Sequence, residues 1–376
     1  MPNNTDRALE TKLPYGQELT DFLVQNYITE SNVSSLLQQK GVFYGRRDKK
    51  YSVPLVSSML LTPQEFEYIK DKRNSKEDRL KRRSSALRWS SDKTLFEELP
   101  KGLDVRSLVD TEFKGYKILG DPSFIPSPSN KNKVTMEFEI DRVDNTKNWC
   151  NSNRRFKGSV ELEVKEEILE ASFVIYNTSP ETEEVGRKVV AHIKRDFSAR
   201  GCTKDKSLDV LFSAFSNEQR IAFFWMLTGD IHLSFMQFEG ISDIDVKPDN
   251  SRAIPPELDI EWMQNNINKL HISGDRIDET FFIKDKNCHP YLIIWRMESK
   301  YIFDDHIAKG SCRLNFEFAG ANANSELAID VSQLTLAKDY RHVDNAKVKK
   351  HLLEQIDQLK IAIFKNMQDT LESKPY

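Results

Sequence analysis

The sequence predicts an α+β protein: a small all-helical N-terminal module, then a larger domain with a mixed, mainly antiparallel sheet, flanking helices and a long C-terminal helix. Three patterns predict this class. Residues 17–28 place apolar side chains on one helical face, residues 134–140 alternate apolar and polar side chains, and residues 345–371 carry a long apolar stripe. Because 376 residues exceed what one hydrophobic core usually supports, we predict two domains, residues 15–90 and 100–376.

Four helices are predicted in the N-terminal module. The first lies within residues 17–28, QELTDFLVQNYI. Thr29 or Ser31 can cap the second helix, because a hydroxyl oxygen accepts a free amide of the first turn. This helix is expected to end at Gly41, since glycine adopts the left-handed conformation of a C-terminal cap without steric strain.

The other two helices of the module follow a turn. Ser52 is predicted to cap the third, with Pro54 in its first turn, where a missing amide breaks no helical hydrogen bond. Thr62 and Pro63 open the fourth. The segment that follows, residues 70–89, has too few apolar residues to belong to a core, so we interpret it as a solvated basic helix or a linker.

The chain beyond residue 105 is predicted to form the sheet. Residues 134–140 and 159–165 alternate with period two, as a sheet with one buried face requires. Helices are predicted at 180–200 and at 217–228, and the latter is apolar nearly all round, so it must be enclosed. Further strands are predicted at residues 171–176, 231–238, 280–284, 291–303, 312–318 and 327–336. Proline, glycine and asparagine mark connectors at residues 120–133, 145–158, 245–257 and 319–326.

Charge and cysteine content limit the function classes. The net charge is −3, but residues 40–88 contain 14 Lys and Arg against six Asp and Glu, a local balance of +8 that leaves −11 for the rest. No apolar run approaches the roughly 18–20 residues of a membrane span, and the N-terminus lacks the apolar core of a secretory signal. We therefore expect a cytoplasmic protein without membrane contact. Four dispersed cysteines without a CxxC pair indicate neither a disulfide framework nor a zinc site.

The cations are densest in the turn between the second and third predicted helices, within residues 34–61. Lys and Arg neutralise phosphates and release counterions, a contribution that is independent of base sequence. Amides at the start of the following helix also favour anions. We therefore predict that this turn binds DNA, the alternative being a solvated basic face without a ligand. Candidate contacts in the turn and along the following segment are Lys40, Arg46, Arg47, Lys49, Lys50, Lys72, Arg73, Arg79, Lys81, Arg82 and Arg83.

The same stretch resembles the SAP family, a small helix-turn-helix-like module that binds DNA. The similarity includes an apolar first helix that ends in a basic residue and glycine, Leu36–Val42, and a turn with Gly45 and Lys49-Lys50. An apolar second helix, Val53–Leu60, completes it. The resemblance covers residues 31–61 and implies that the module holds duplex DNA by its backbone, with little base specificity.

A second pattern lies on the predicted sheet. Glu161, Glu163 and Lys165 have E-x-E-x-K spacing on one strand, and Asp141 ends the strand before it. This arrangement resembles the PD-(D/E)XK nucleases, which implies carboxylates that hold a divalent metal and a lysine that helps position the attacking water. Ordinary amphipathic alternation explains the same residues, since the intervening positions are apolar.

The leading functional prediction is a DNA-binding subunit of a multi-protein complex. The helical module would hold duplex DNA, and the larger domain would recruit a catalytic partner, in bacterial phage defence or DNA repair. In this interpretation the chain is not itself an enzyme, needs no cofactor, and works with a protein partner or as a homo-oligomer. One alternative is a magnesium-dependent nuclease at Asp141, Glu161, Glu163 and Lys165. Another is a small-ligand sensor or scaffold. The sequence contains no P-loop, dinucleotide-binding glycine motif or nucleophile elbow.

Overall fold

The computed structural model confirms the α+β class. Four helices form the N-terminal module, and a 12-stranded sheet with helices on both faces forms most of the remainder. The structure describes residues 13–24, 28–45, 48–77, 79–109, 115–143, 153–165, 170–228, 233–258, 260, 262–263, 267–275 and 277–372.

The N-terminal module has a hydrophobic core of its own. Thr29 caps the second helix, as predicted: its hydroxyl accepts the Asn32 amide, and the Asn32 side chain accepts the Thr29 amide at 2.9 Å. Gly41, at φ +74°, ends that helix, also as predicted. The helices are α1 (Gly16–Leu23), α2 (Glu30–Gln39), α3 (Lys49–Ser57) and α4 (Pro63–Glu77). Their shared core includes Leu19, Phe22, Val33, Leu36, Leu37, Val53, Val56, Phe66 and Ile69.

Helix α3 begins earlier than predicted, and its cap is Asp48 rather than Ser52. The Asp48 carboxylate accepts the Lys50 amide at 2.9 Å. Ser52 lies inside the helix, where its hydroxyl donates to Glu30 at 2.7 Å. Pro54 is consequently in the helix interior rather than in its first turn.

The strands of the larger domain form one sheet. They are β1 (Lys81–Trp89), β2 (Tyr116–Leu119), β3 (Ile125–Ser127), β4 (Asn130–Val143), β5 (Asn153–Lys165), β6 (Glu170–Asn177), β7 (Thr203–Asp209), β8 (Met236–Pro248), β9 (Leu270–Ser273), β10 (Leu292–Asp304), β11 (Lys309–Phe318) and β12 (Leu327–Leu336). The order is β2-β4-β5-β6-β1-β12-β11-β10-β8-β9, with β3 on β4 and β7 on β1. All pairings among the described residues are antiparallel.

Helices cover the two faces of this sheet. They are α5 (Leu95–Glu98), α6 (Val105–Val109), α7 (Pro180–Ala199), α8 (Asn217–Thr228), α9 (Phe281–Lys284) and α10 (Asn345–Glu372). Helix α7 packs Val185, Val189 and Ile193 into a core shared with β4, β5 and β6. Helix α10 contributes Leu352 and Ile356 to a second core, which contains α8 and strands β8 and β10 to β12. The predicted helices at 180–200, 217–228 and 345–371 are thus confirmed.

Strand β1 corrects the interpretation of residues 70–89. Residues 81–89 form a strand, not a solvated helix or linker, and pair with β6 from Lys81 to Arg88. Most of their side chains are buried. Because β1 also pairs with β12 at two positions, it joins the two halves of the sheet. The last residues of the predicted 15–90 range therefore lie in the sheet.

Other differences from the predicted secondary structure concern one strand that is a helix and the points at which several strands begin or end. Residues 281–284 form helix α9, although 280–284 were expected to be a strand. The strand predicted at 231–238 begins at Met236, and residues 231–232 lie outside the described part of the chain. Three predicted connectors are partly strand: β4 begins at Asn130, β5 begins at Asn153 and β8 continues to Pro248. Among the described residues, no helix is both apolar enough and long enough to cross a membrane.

Candidate nucleic-acid interface

The predicted DNA-binding turn lies between α2 and α3, and we name its described part, residues 42–45 and 48–51, the connector surface. Lys49 and Lys50 occupy the first turn of α3, which Asp48 caps. The helix dipole adds positive potential at this end, where amides without helical partners face outward. Arg46 and Arg47 lie outside the described residues.

Exposed aromatic and apolar side chains flank these lysines. Phe43 is 79% exposed and Tyr51 is 40% exposed. The Lys50 Nζ lies 5.9 Å from the centre of the Tyr51 ring, within the range of a cation–π contact. Leu60, in the connection between α3 and α4, is 84% exposed. Cations next to exposed rings are the combination on which nucleic-acid bases and phosphates are commonly held.

The connector surface is held to the module by hydrogen bonds to Glu30. The Ser52 hydroxyl donates to this carboxylate at 2.7 Å, and the Tyr44 hydroxyl also donates to it. Ser34 donates to Glu30 at 2.8 Å. Tyr44 is therefore a structural residue of the module, and Glu30 fixes α2 against both the connector and α3.

Lys40 is engaged within the module. Its Nζ lies 2.9 Å from the Glu65 carboxylate and donates to the Leu60 carbonyl at 3.0 Å. Burial alone would raise the pKa of Glu65, but hydrogen bonds from the Thr62 amide and from Lys40 hold it below its usual value. Lys40 thus joins α2 to the start of α4 and has a structural role, and its contact with phosphate stays a prediction.

Three of the predicted contacts beyond the module pair with acidic side chains of the larger domain. The separations are 3.6 Å between Lys81 and Glu317, 3.1 Å between Arg82 and Asp357, and 2.7 Å between Arg83 and Glu183. Arg82 and Arg83 are buried, so they offer no open positive surface to a polyanion. Burial in a central strand argues against Arg82 and Arg83 as DNA contacts, and the assignment of Lys81 stays a prediction.

The remaining predicted contacts are Lys72, Arg73 and Arg79. Lys72 and Arg73 lie on α4, and their side chains are outside the described set. Arg79 is partly buried and close enough to Asp330 to lower the pKa of that carboxyl group, which burial raises overall. On the connector surface, Lys50 is exposed and Lys49 is partly buried.

The four residues of the nuclease pattern do not converge. Asp141 pairs with Arg155 across β4 and β5, whereas Glu161 pairs with Thr135. Six residues of β5 separate these two positions, which corresponds to about 20 Å at the rise of an antiparallel strand. Asp141 therefore cannot share an ion with Glu161.

Glu161, Glu163 and Lys165 line a cavity of about 500 Å³ between β5 and α10. Glu161 pairs with Lys350 of α10 at 2.5 Å, and Glu163 lies 3.9 Å from Lys133. Amphipathic alternation explains the pattern, as the apolar positions between these residues face α7. Glu161 and Glu163 are engaged in ion pairs with neighbouring elements.

Arg82 and Asp357 also line this cavity, and they belong to a buried charge network that the sequence did not predict. Asp357 of α10 lies 3.1 Å from the Arg82 Nε and 2.8 Å from the Lys360 Nζ. Ser84 of β1 donates to Asp357 at 2.6 Å. Lys360 is 0% exposed. This network fastens the C-terminal helix to the strand that joins the two halves of the sheet.

Comparison with known proteins finds similarity in the helical module. Residues 17–79 match the family described as the GAPS4b protein N-terminal domain. The matched region begins one residue into α1, contains α2 to α4 and stops before β1. No curated protein matches the chain. Among solved structures, the crystal structure of DynU16, a protein in the dynemicin biosynthetic locus, aligns at 10% identity over 76% of this chain and 97% of its own, with a TM-score of 0.14.

Proposed function

We propose that this chain is a DNA-binding subunit of a bacterial defence-related complex and that its connector surface binds the phosphate backbone. The observation that carries the proposal is the concentration of cations at the exposed start of α3. Lys49 and Lys50 lie in the first helical turn, and Arg46 and Arg47 precede them in sequence, separated from them by Asp48. The match of residues 17–79 to the GAPS4b N-terminal domain is consistent with a defence-related protein.

The binding mode follows from the chemistry of the connector surface. Lysine side chains neutralise phosphate without reading base edges, so affinity depends on salt rather than on sequence. The positive end of α3 adds to the attraction. Phe43 and Tyr51 are exposed beside these cations, and they are suited to stack on a sugar or on an unpaired base.

We further propose that the larger domain recruits a catalytic protein partner. The support is indirect: the carboxylates that resemble a nuclease site lie apart or pair with lysines, as with Glu161 and Lys350. Strand β1 follows α4 closely, so the domain proposed to recruit the partner begins directly after the module.

Duplex binding by charge-matched variants tests the DNA-binding proposal. A fluorescent duplex is titrated with the full chain, with the connector variant R46A/R47A/K49A/K50A, and with the control variant K101A/K117A/K131A/K204A. The four control lysines are exposed residues of the larger domain, so both variants lose the same formal charge. Circular dichroism of each variant verifies folding.

The connector variant is expected to lose affinity by about 10- to 1000-fold at 0.1 M salt, because about four phosphate contacts are removed. The control variant is expected to bind like the unmodified chain. Equal losses in both variants would assign binding to net charge alone and would contradict a dedicated connector surface.

A further inference from the structure

Two histidines and an aspartate meet at the turn between β10 and β11. The Nδ1 of His306 lies 2.6 Å from one carboxylate oxygen of Asp305, and the Nε2 of His351 lies 2.6 Å from the other. The two imidazole rings are 5.3 Å apart between their centres and stand edge to face. The ligand atoms of all three residues lie within 4.8 Å of one another.

The fold fixes this cluster from both sides. The turn is closed by a hydrogen bond from the Asp305 amide to the Ala308 carbonyl at 3.0 Å. His351 lies in the second turn of α10, next to Leu352, which is buried in the core. The Phe235 ring packs against His351 at 6.4 Å between ring centres. The positions of these ligands therefore depend on well-packed elements rather than on a loose loop.

One carboxylate oxygen of Asp305 is poorly satisfied. Its Oδ2 is buried, and among the described residues it has no aligned hydrogen bond, although the His351 Nε2 is only 2.6 Å away. The His351 Nε2 lies at ion-pair distance from this Oδ2, and the His306 Nδ1 lies at the same distance from Oδ1. Three potential ligand atoms thus lie close enough together to share one ion.

The ligand set selects a class of metal. Imidazole nitrogen with carboxylate oxygen is typical of Zn²⁺ and neighbouring divalent transition metals, whereas Mg²⁺ and Ca²⁺ favour oxygen ligands. Ligands of a tetrahedral zinc are about 3.3 Å apart, given bonds of about 2.0–2.1 Å. The observed atoms need only small side-chain rotations to reach this spacing. His306 is 74% exposed, so solvent can reach the fourth position.

We propose that Asp305, His306 and His351 bind a divalent transition-metal ion, best matched by Zn²⁺, with one coordination position left for water. The bound ion joins the β10–β11 turn to the start of α10. The sequence did not predict this site, because His351 is distant from Asp305 and His306 in the chain. The proposal is independent of DNA binding.

The test measures metal uptake by the full chain after removal of metal with a chelator. Isothermal titration with ZnCl₂ is expected to show about one tight equivalent per chain, and Co²⁺ is expected to give the visible absorption of a tetrahedral site. MgCl₂ is the negative titrant. His306→Ala and His351→Ala each remove one ligand, and each is expected to weaken Zn²⁺ binding by about tenfold or more.

His271→Ala is the matched control, since His271 also contacts two aspartates, Asp243 and Asp245, on β8. Its Zn²⁺ binding is expected to be unchanged. His306 is an exposed turn residue, so its variant keeps the test valid if His351→Ala fails to fold. Weak, non-saturating uptake, or tight uptake that is equal in the unmodified chain and His306→Ala, would overturn the proposal.

Discussion

Removal of Asp357 tests how much the fully buried charge network of α10 and β1 contributes to the stability of this fold. Asp357 contacts Arg82 at 3.1 Å, Lys360 at 2.8 Å and Ser84 at 2.6 Å. Substitution to alanine leaves two cations buried without their carboxylate, and Lys360 is fully enclosed. Breaking a buried pair from one side destabilises a protein by about 3–5 kcal/mol. We therefore expect Asp357→Ala to lower the free energy of unfolding by this amount.

The matched control is Lys350→Ala on the same helix. Lys350 pairs with the buried Glu161, but nearly half of the Lys350 side chain is exposed. Loss of one partner of a buried acceptor costs about 1–3 kcal/mol, so we expect a smaller effect than for Asp357→Ala. Urea unfolding followed by circular dichroism and by tryptophan fluorescence measures both variants. Equal destabilisation by the two substitutions would refute the assignment of a special role to the buried network.

The stability that Asp357 contributes should depend on pH. Burial alone would raise the pKa of Asp357, but Lys360 and Arg82 hold it below its usual value. Because the folded pKa is lower than the unfolded one, the contribution of Asp357 is present at neutral pH and is lost as the pH falls through the acid range. The stability difference between the unmodified chain and Asp357→Asn should therefore shrink on acidification. A difference that is constant from neutral to acid pH would contradict this.

Two further substitutions test local features. Gly310→Ala would place a Cβ 2.2 Å from the Thr335 carbonyl oxygen, a backbone atom that cannot move without disturbing the pairing of β11 with β12. We expect a loss of about 3 kcal/mol, visible as a lower midpoint of thermal unfolding, and an unchanged midpoint would refute the close approach. Thr29→Ala removes the α2 cap and should destabilise the module by about 1 kcal/mol. Hydrogen exchange should then become faster in α2 while the sheet is unaffected, and slow exchange in α2 would contradict the capping role.

The helical module could be predicted from sequence because its signals are local. Thr29 and Gly41 define the ends of α2 by interactions within a few residues. The error at α3 was not local: both Asp48 and Ser52 are good caps, but the Ser52 hydroxyl binds Glu30 of another helix. Competition between helices decides such cases, and one segment alone does not reveal it.

Strand β1 could not be predicted, because its buried cations depend on distant partners. Arg83 is 1% exposed and pairs with Glu183 of α7, while Arg82 pairs with Asp357 of α10. Without these carboxylates the segment has the composition of a solvated helix. A central strand that contains arginines is stable only in the finished fold.

The nuclease-like pattern and the histidine cluster also combine local features, which the sequence predicts, with long-range features, which it does not. The E-x-E-x-K spacing correctly predicted that Glu161 and Glu163 lie on one side of a strand, but the position of Asp141 depended on the register between β4 and β5. The cluster of His306 and His351 needed the packing of α10 near a hairpin turn. Sequence spacing predicts which side of a strand a residue faces, and long-range packing decides which residues meet.

The salt dependence of duplex binding tests the central claim most directly. If Arg46, Arg47, Lys49 and Lys50 contact about four phosphates, the plot of log affinity against log salt should have a slope of about −3 to −4 between about 50 and 200 mM salt. The slope of the connector variant should be close to zero, and that of the control variant should be unchanged. A connector variant that keeps the full slope would show that the polyanion is held elsewhere on the chain.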